Sequence, residues 1–216
     1  MPTCRPDQMI AAADDRVEER IAVAGGEITI VRPNDFEDLL TEEAFEREEL
    51  LPYWARLWGS ALALAEAVAE RVRAGERVLE LGCGLGLPSI AAARAGASVT
   101  ASDWSPDAVR ATAANATRNG VELDTLAADW DAPAALVERA PWDLVIAADV
   151  LYERKKVSTL LDLLPRLAET VLLAEPGRLP AESFFGAARG AWENEEVSVT
   201  GAPRVVVHLL SRLRNE

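Results

Sequence analysis

The stretch "ELGCGLG" sets the carboxylate of Glu80 just ahead of three alternating glycines, Gly82, Gly84 and Gly86. Glycine brings a backbone close to a ligand and takes positive φ without strain, so such a turn is built to hold something. It is not a dinucleotide turn: G-x-G-x-x-G would put its third glycine at Leu87 or at Ser89. It is not a phosphate loop either, because the Gly-Lys-Ser/Thr ending is missing. An acid rather than an arginine beside the turn points to a ligand bearing positive charge. Two more acids close later apolar runs, Asp103 in "ASVTASD" and Asp129 in "VELDTLAAD". A carboxylate at the first of these places accepts both hydroxyls of a ribose, and one at the second accepts the exocyclic amine of adenine. With the glycine turn and Glu80 on an amino-acid tail, the set suits S-adenosylmethionine. Trp104 and Trp130 directly follow the two acids, so an adenine face could lie against either.

These residues need a scaffold that brings strand ends together. Strand-like runs ("RVLELG", "ASVTASD", "VELDTLAAD", "WDLVIAAD", "TVLLAE") alternate with helical ones, from "PSIAAARAG" with Pro88 at its start to "PAESFFGAARGAW". Ser105-Pro106 opens one helix and Asn119-Gly120 closes it. "ERKKVSTLLDLLPRLAE" reads as helical despite Pro165. Such alternation predicts an open α/β sheet, doubly wound and mostly parallel, with its ligand crevice beyond the carboxyl ends of the strands. The last two strands, "EEVSVT" and "RVVVHLLSRL", are joined by only "GAP" and must pair antiparallel. Seven strands with an antiparallel last strand are expected. Ahead of them, "RIAVAGGEITIVRP" reads as a β-hairpin turning at Gly25-Gly26, followed by an acidic helix over "DFEDLLTEEAFEREELL". Residues 1–216 are expected to form a single domain, with an extension over 1–52 and the cofactor-binding and catalytic core over 53–216.

The net charge of −14 disfavours a phosphate backbone as partner. From Met1 to Pro52 there are 14 acids and 5 bases, so this segment holds −9 of the total. It reads as a solvated helical face or as a surface that draws a basic partner. No apolar run is long enough to span a bilayer, and "MPTCRPDQMI" lacks a signal peptide's apolar stretch. Two cysteines make no disulfide framework, so a cytoplasmic protein without membrane or nucleic-acid partners is expected. Cys83 reads as a small residue in a tight turn, His208 as structural, and Lys155 and Lys156 as a solvated face. No Cys, His and carboxylate set has metal spacing, so no metal is expected.

Together the G-x-G-x-G turn, "PYWARLWGSALALA" before it, "DVLY" and "EPGR" make the chain resemble the class I, seven-β-strand methyltransferases. More narrowly it is similar to their lysine-methyltransferase-like branch, and especially to the group acting on the β-subunit of electron-transfer flavoprotein. That group's D-x-x-Y pattern falls on Asp149 and Tyr152, and its tryptophan-bearing leading helix on Trp54 and Trp58. Its Asp-Pro-Gly-Arg is here Glu175-Pro176-Gly177-Arg178, a departure that keeps the charge. The resemblance implies an S-adenosylmethionine-dependent N-methyltransferase acting on lysine side chains of a protein. Transfer to a small-molecule amine, or a non-catalytic module keeping the cofactor site, are the alternatives. A lysine must be neutral to attack, which at pH 7 costs about 4 to 5 kcal/mol from a free pKa near 10.4. Asp149 would attract and orient the incoming ammonium, and Tyr152 would shape its pocket. Trp58 would close over the methionine part of the cofactor or else pack in the core.

Overall fold

The computed structural model describes residues 16–35, 39, 51–197, 199 and 204–213. The acidic helix expected over 35–51 lies almost wholly outside them. Strands β1 (Arg16–Val23) and β2 (Gly26–Pro33) form the expected antiparallel hairpin. Val23 pairs with Gly26, so the turn is Ala24-Gly25, one residue earlier than expected.

Nearly continuous apolar runs become the central strands, buried on both faces as parallel strands between helices are, while the edge strand Asp124–Ala127 stays partly exposed. They are β3 (Arg77–Leu81), β4 (Ser98–Asp103), β5 (Asp124–Ala127), β6 (Leu144–Ala148) and β7 (Thr170–Glu175). The sheet is completed by β8 (Trp192–Val197) and β9 (Val206–Arg212), in the order β5-β4-β3-β6-β7-β9-β8. As expected, only β9 runs against the others, pairing antiparallel with β7 and β8. β8 begins three residues before the run read for it, because Trp192 and Val197 bury the two ends of an edge strand whose middle is four exposed polar residues. β5 is shorter than its apolar run and stops two residues before Asp129.

Among the described residues, six helices flank the sheet: α1 (Gly59–Arg71), α2 (Leu87–Arg94), α3 (Pro106–Arg118), α4 (Ala134–Val137), α5 (Arg154–Leu167) and α6 (Leu179–Ala188). Alternation along β3 divides the core. Val78 joins a cluster with Leu64, Val68 and Ile90 under the hairpin's Ile28 and Ile30, while Leu79 and Leu81 face Leu136, Leu160, Leu164 and Phe184. Ser105 caps α3 by accepting from the Ala108 N–H. Pro165 falls in the last turn of α5, so the one intrahelical bond its missing N–H forfeits lies near the helix end. The chain runs from β3 outward to β4 and β5, then returns to place β6 on the other side of β3. That reversal puts the crevice at the carboxyl ends of β3, β4 and β6.

Candidate active site

A cleft of about 620 Å³ opens at those strand ends. Every residue singled out from the sequence as catalytic or cofactor-binding lines it: Trp58, Glu80, Gly82, Gly84, Gly86, Asp103, Trp104, Asp129, Trp130, Asp149 and Tyr152.

The glycine turn is tied down on all sides. Its three glycines have positive φ. Gly84 donates its N–H to Asp103 at 3.0 Å, and its carbonyl accepts from the Thr112 hydroxyl at 3.0 Å. Asn115 donates to the Leu85 carbonyl. A Cβ on Gly86 would lie 2.7 Å from the Thr112 methyl, and one on Gly84 would lie 3.3 Å from the Trp54 carbonyl oxygen. The protein's own packing therefore demands small residues here, in addition to any ligand. Cys83 is a buried free thiol beside Thr112, and burial pushes it well above its ordinary pKa, favouring the protonated thiol.

The three strand-end acids differ in surroundings. Glu80 is inside β3 rather than at its tip and is fully buried; it accepts from the backbone and hydroxyl of Ser89 in the first turn of α2. Burial drives its pKa up from an ordinary 4.5 to about 8, against those hydrogen bonds and helped by the negative charge of Asp103. Asp103 ends β4 and accepts from the backbone of Gly84 and Ser105; burial raises its pKa too. Asp129 is exposed, accepts from the Asp131 N–H, and lies 4.0 Å from the Lys156 ammonium. The Lys156 side chain, read as part of a solvated face, is instead largely covered, with its ammonium bonded to the exposed Asp131 at 2.8 Å.

Asp149 is the one described non-glycine residue with positive φ, at 54°. Left-handed backbone costs such a residue about 1–2 kcal/mol, and strain of this kind gathers at functional sites. Its carboxylate is not bare. The Arg178 guanidinium grips it in fork geometry, Nε on Oδ1 at 2.7 Å and Nη2 on Oδ2 at 3.1 Å. Glu175 holds the arginine's loop by accepting from the Gly177 and Arg178 N–H groups. Arg178, which enters the sequence pattern only as part of "EPGR", therefore lines the same cleft. Its signal was readable, since "DVLY" and "EPGR" follow strands that lie side by side.

Across the cleft, a single 3-10 turn, Tyr53–Ala55, carries Trp54 and brings in Tyr53, which spacing did not single out. Tyr53 stacks edge-on against Tyr152 at 5.9 Å and against Trp58 at 6.2 Å. Trp58 caps α1, and its indole N–H donates to the Tyr53 carbonyl at 2.9 Å. Tyr152 is 40% exposed, and burial of its hydroxyl pushes the pKa up to about 12, so it stays protonated. Trp104 is also exposed.

The cleft fits S-adenosylmethionine on these observations. Two buried carboxyl groups, Glu80 and Asp103, are fixed by hydroxyl and backbone donors and offer hydrogen-bonding oxygens to the polar parts of such a ligand. The glycine turn gives close backbone approach, and the tryptophans offer apolar faces for a base.

Known proteins agree with this chemistry. The lysine methyltransferase family model matches residues 51–185. The electron transfer flavoprotein beta subunit lysine methyltransferase of Danio rerio is 37% identical over 145 residues, covering 61% of this chain and 52% of that protein. Ribosomal protein L11 methyltransferase of Symbiobacterium thermophilum is 36% identical over 123 residues, covering 56% of this chain and 36% of that protein. The crystal structure of ribosomal protein L11 methylase from Lactobacillus delbrueckii subsp. bulgaricus superposes with a TM-score of 0.55 at 26% identity, over 70% of this chain and 78% of that one. The chain spans about half the length of the flavoprotein-directed relatives it matches. With the family model covering the glycine turn, the strand-end acids, "DVLY" and "EPGR" alike, the chain belongs to the lysine methyltransferase family, enzymes whose methyl donor is S-adenosylmethionine.

Proposed function

We propose that this protein binds S-adenosylmethionine in the cleft and methylates the side-chain amine of lysine in a protein. The observation that carries the reading is Asp149, held in a left-handed conformation beside Tyr152 in the same cleft as the glycine turn. The donor supplies a methyl carbon on a sulfonium; a bond forms from the amine nitrogen to that carbon as the sulfur–carbon bond breaks, its electron pair staying on sulfur. This chain's residues then have three tasks: to bind, to orient and to exclude water. Glu80 and the glycine turn would hold the amino-acid tail, Asp103 the ribose, and Asp129 with Trp104 or Trp130 the adenine. Each Asp149 oxygen keeps a lone pair beyond the one Arg178 uses, and can accept an N–H of the incoming amine. The stacked rings of Tyr53, Tyr152 and Trp58 wall the amine from water.

A protein acceptor is supported by family membership and by the relatives, whose names state protein substrates. Location in the cytoplasm, without a membrane or nucleic-acid partner, is part of the same proposal. No helix among the described residues is long and apolar enough to cross a membrane. Labelled donor added with this protein to a cell extract tests it. Label in protein, recovered as methyl-lysine after hydrolysis, is the expected result. Label confined to small molecules would replace the acceptor class. Donor binding without transfer would reduce the chain to a binding module.

A further inference from the structure

The Asp149–Arg178 pair creates a difficulty for attraction of an ammonium, and its solution defines a role for Arg178. A bare carboxylate beside a lysine amine favours the charged form and raises the amine's pKa by about 1–3 units, which opposes the neutral state that attack requires. Here the carboxylate, only a tenth exposed, already has its counter-charge in the bidentate guanidinium. Arg178 is itself anchored: Glu175 accepts its backbone N–H, and the ion pair raises the guanidinium's pKa further, so it is charged at every working pH.

We propose that Arg178 is a positioning residue that makes the acceptor site select the neutral amine: by neutralising Asp149 it leaves a carboxylate that accepts hydrogen bonds without trapping an ammonium. This rests on the lysine-methylation reading above. The incoming ammonium gives its proton to solvent before the step, the neutral amine attacks, and the methylated product carries the positive charge that the sulfonium loses. Glu175 and Asp103 add negative charge near the pair, equally in the wild type and in variants at Arg178, so that comparison isolates the guanidinium. Glu175, at the end of β7, touches the arginine's backbone and lies 3.5 Å from the His208 Nε2 of β9. Tyr53 and Tyr152 are phenols, and Glu153 pairs with Lys155 at 3.0 Å. Asp103, held by the glycine turn, adds negative charge at the far wall.

The test uses n-butylamine, the lysine side chain's own amine, titrated by NMR into the protein saturated with S-adenosylhomocysteine, from about pH 6.5 to about pH 9.5. The wild type should bind it about tenfold more tightly for each unit of rising pH, because only the neutral form is accepted. Arg178→Gln, which exposes the carboxylate's charge, should bind butylamine at least about tenfold more tightly than the wild type at the acid end, with a flat profile. Its methyl transfer should in turn shift about one unit or more to higher pH. Arg178→Lys keeps the charge and should keep the wild-type slope. Equal slopes in wild type and Arg178→Gln would overturn the proposal. A flat or absent wild-type response would also overturn it, and needs no variant to fold. These failures leave the labelling experiment untouched, so they are distinct from failure of the lysine reading itself.

Discussion

At the scale of single residues, the acids of the cleft divide by what holds them. Asp149 touches no donor of the glycine turn, so Asp149→Asn should leave S-adenosylhomocysteine affinity within a factor of a few. Methyl transfer should fall at least about a hundredfold, or about 2.7 kcal/mol in the barrier, with Tyr152→Phe losing less because its ring still stacks on Tyr53. Calorimetry and single-turnover transfer check the two halves; near-normal turnover in Asp149→Asn would make the carboxylate structural. Glu80 makes a different prediction. Its folded pKa of about 8 exceeds the ordinary 4.5, so the fold holds the proton more tightly than the unfolded chain does. That contribution to stability is fully present below about pH 4.5 and is lost as pH rises through about 8. Glu80→Gln cannot ionise and keeps an acceptor for Ser89. The variant should therefore gain stability relative to the wild type, by a few kcal/mol in all, as pH rises across that window. Parallel stability curves, measured by urea denaturation across that range, would show that Glu80 does not titrate there.

Between elements, the hairpin is joined to the sheet domain through α3. Asn115 and Asn119, one turn apart on that helix, present side-chain amides to β2 as a neighbouring strand would. Asn115 accepts from the Val31 N–H at 2.9 Å and donates to the Val31 carbonyl, and Asn119 makes the same exchange with Thr29. Because Asn115 also holds the Leu85 carbonyl of the glycine turn, it couples the hairpin to the site. Asn115→Ala should cost about 2–4 kcal/mol by stranding these partly buried groups. Amide exchange at Val31 should accelerate beyond the change in global stability, and unchanged local protection would refute the coupling.

The whole molecule carries −14, and the expected acceptor is a lysine on a protein surface. Approach of a basic surface is accelerated by that field and screened by salt, with a Debye length of about 8 Å at physiological ionic strength. Raising salt should therefore increase KM for the protein acceptor several-fold while kcat and S-adenosylhomocysteine affinity hold nearly constant. A KM indifferent to salt would mean that shape, not charge, selects the partner.

What the sequence determined by itself is local and periodic. Alternating apolar runs dictate parallel strands between helices, and the short connection around "GAP", from Val197 to Val206, leaves no room for a crossover and allows only an antiparallel return. The glycine spacing excludes two nucleotide motifs, and acids closing successive strands must meet at one sheet edge because parallel strands share a direction. Tertiary structure decided what depends on neighbours distant in the chain. Glu80 is a strand-end acid by sequence, yet the packing of α2 buries it against Ser89 and changes its proton affinity. Lys156 looks solvated until α5 folds it onto Asp131. Arg178 has no assigned role in the sequence until β6 and β7 pair side by side and bring it onto Asp149. Burial and ion pairing are sums over groups that only the folded chain assembles, and no spacing along the sequence contains them.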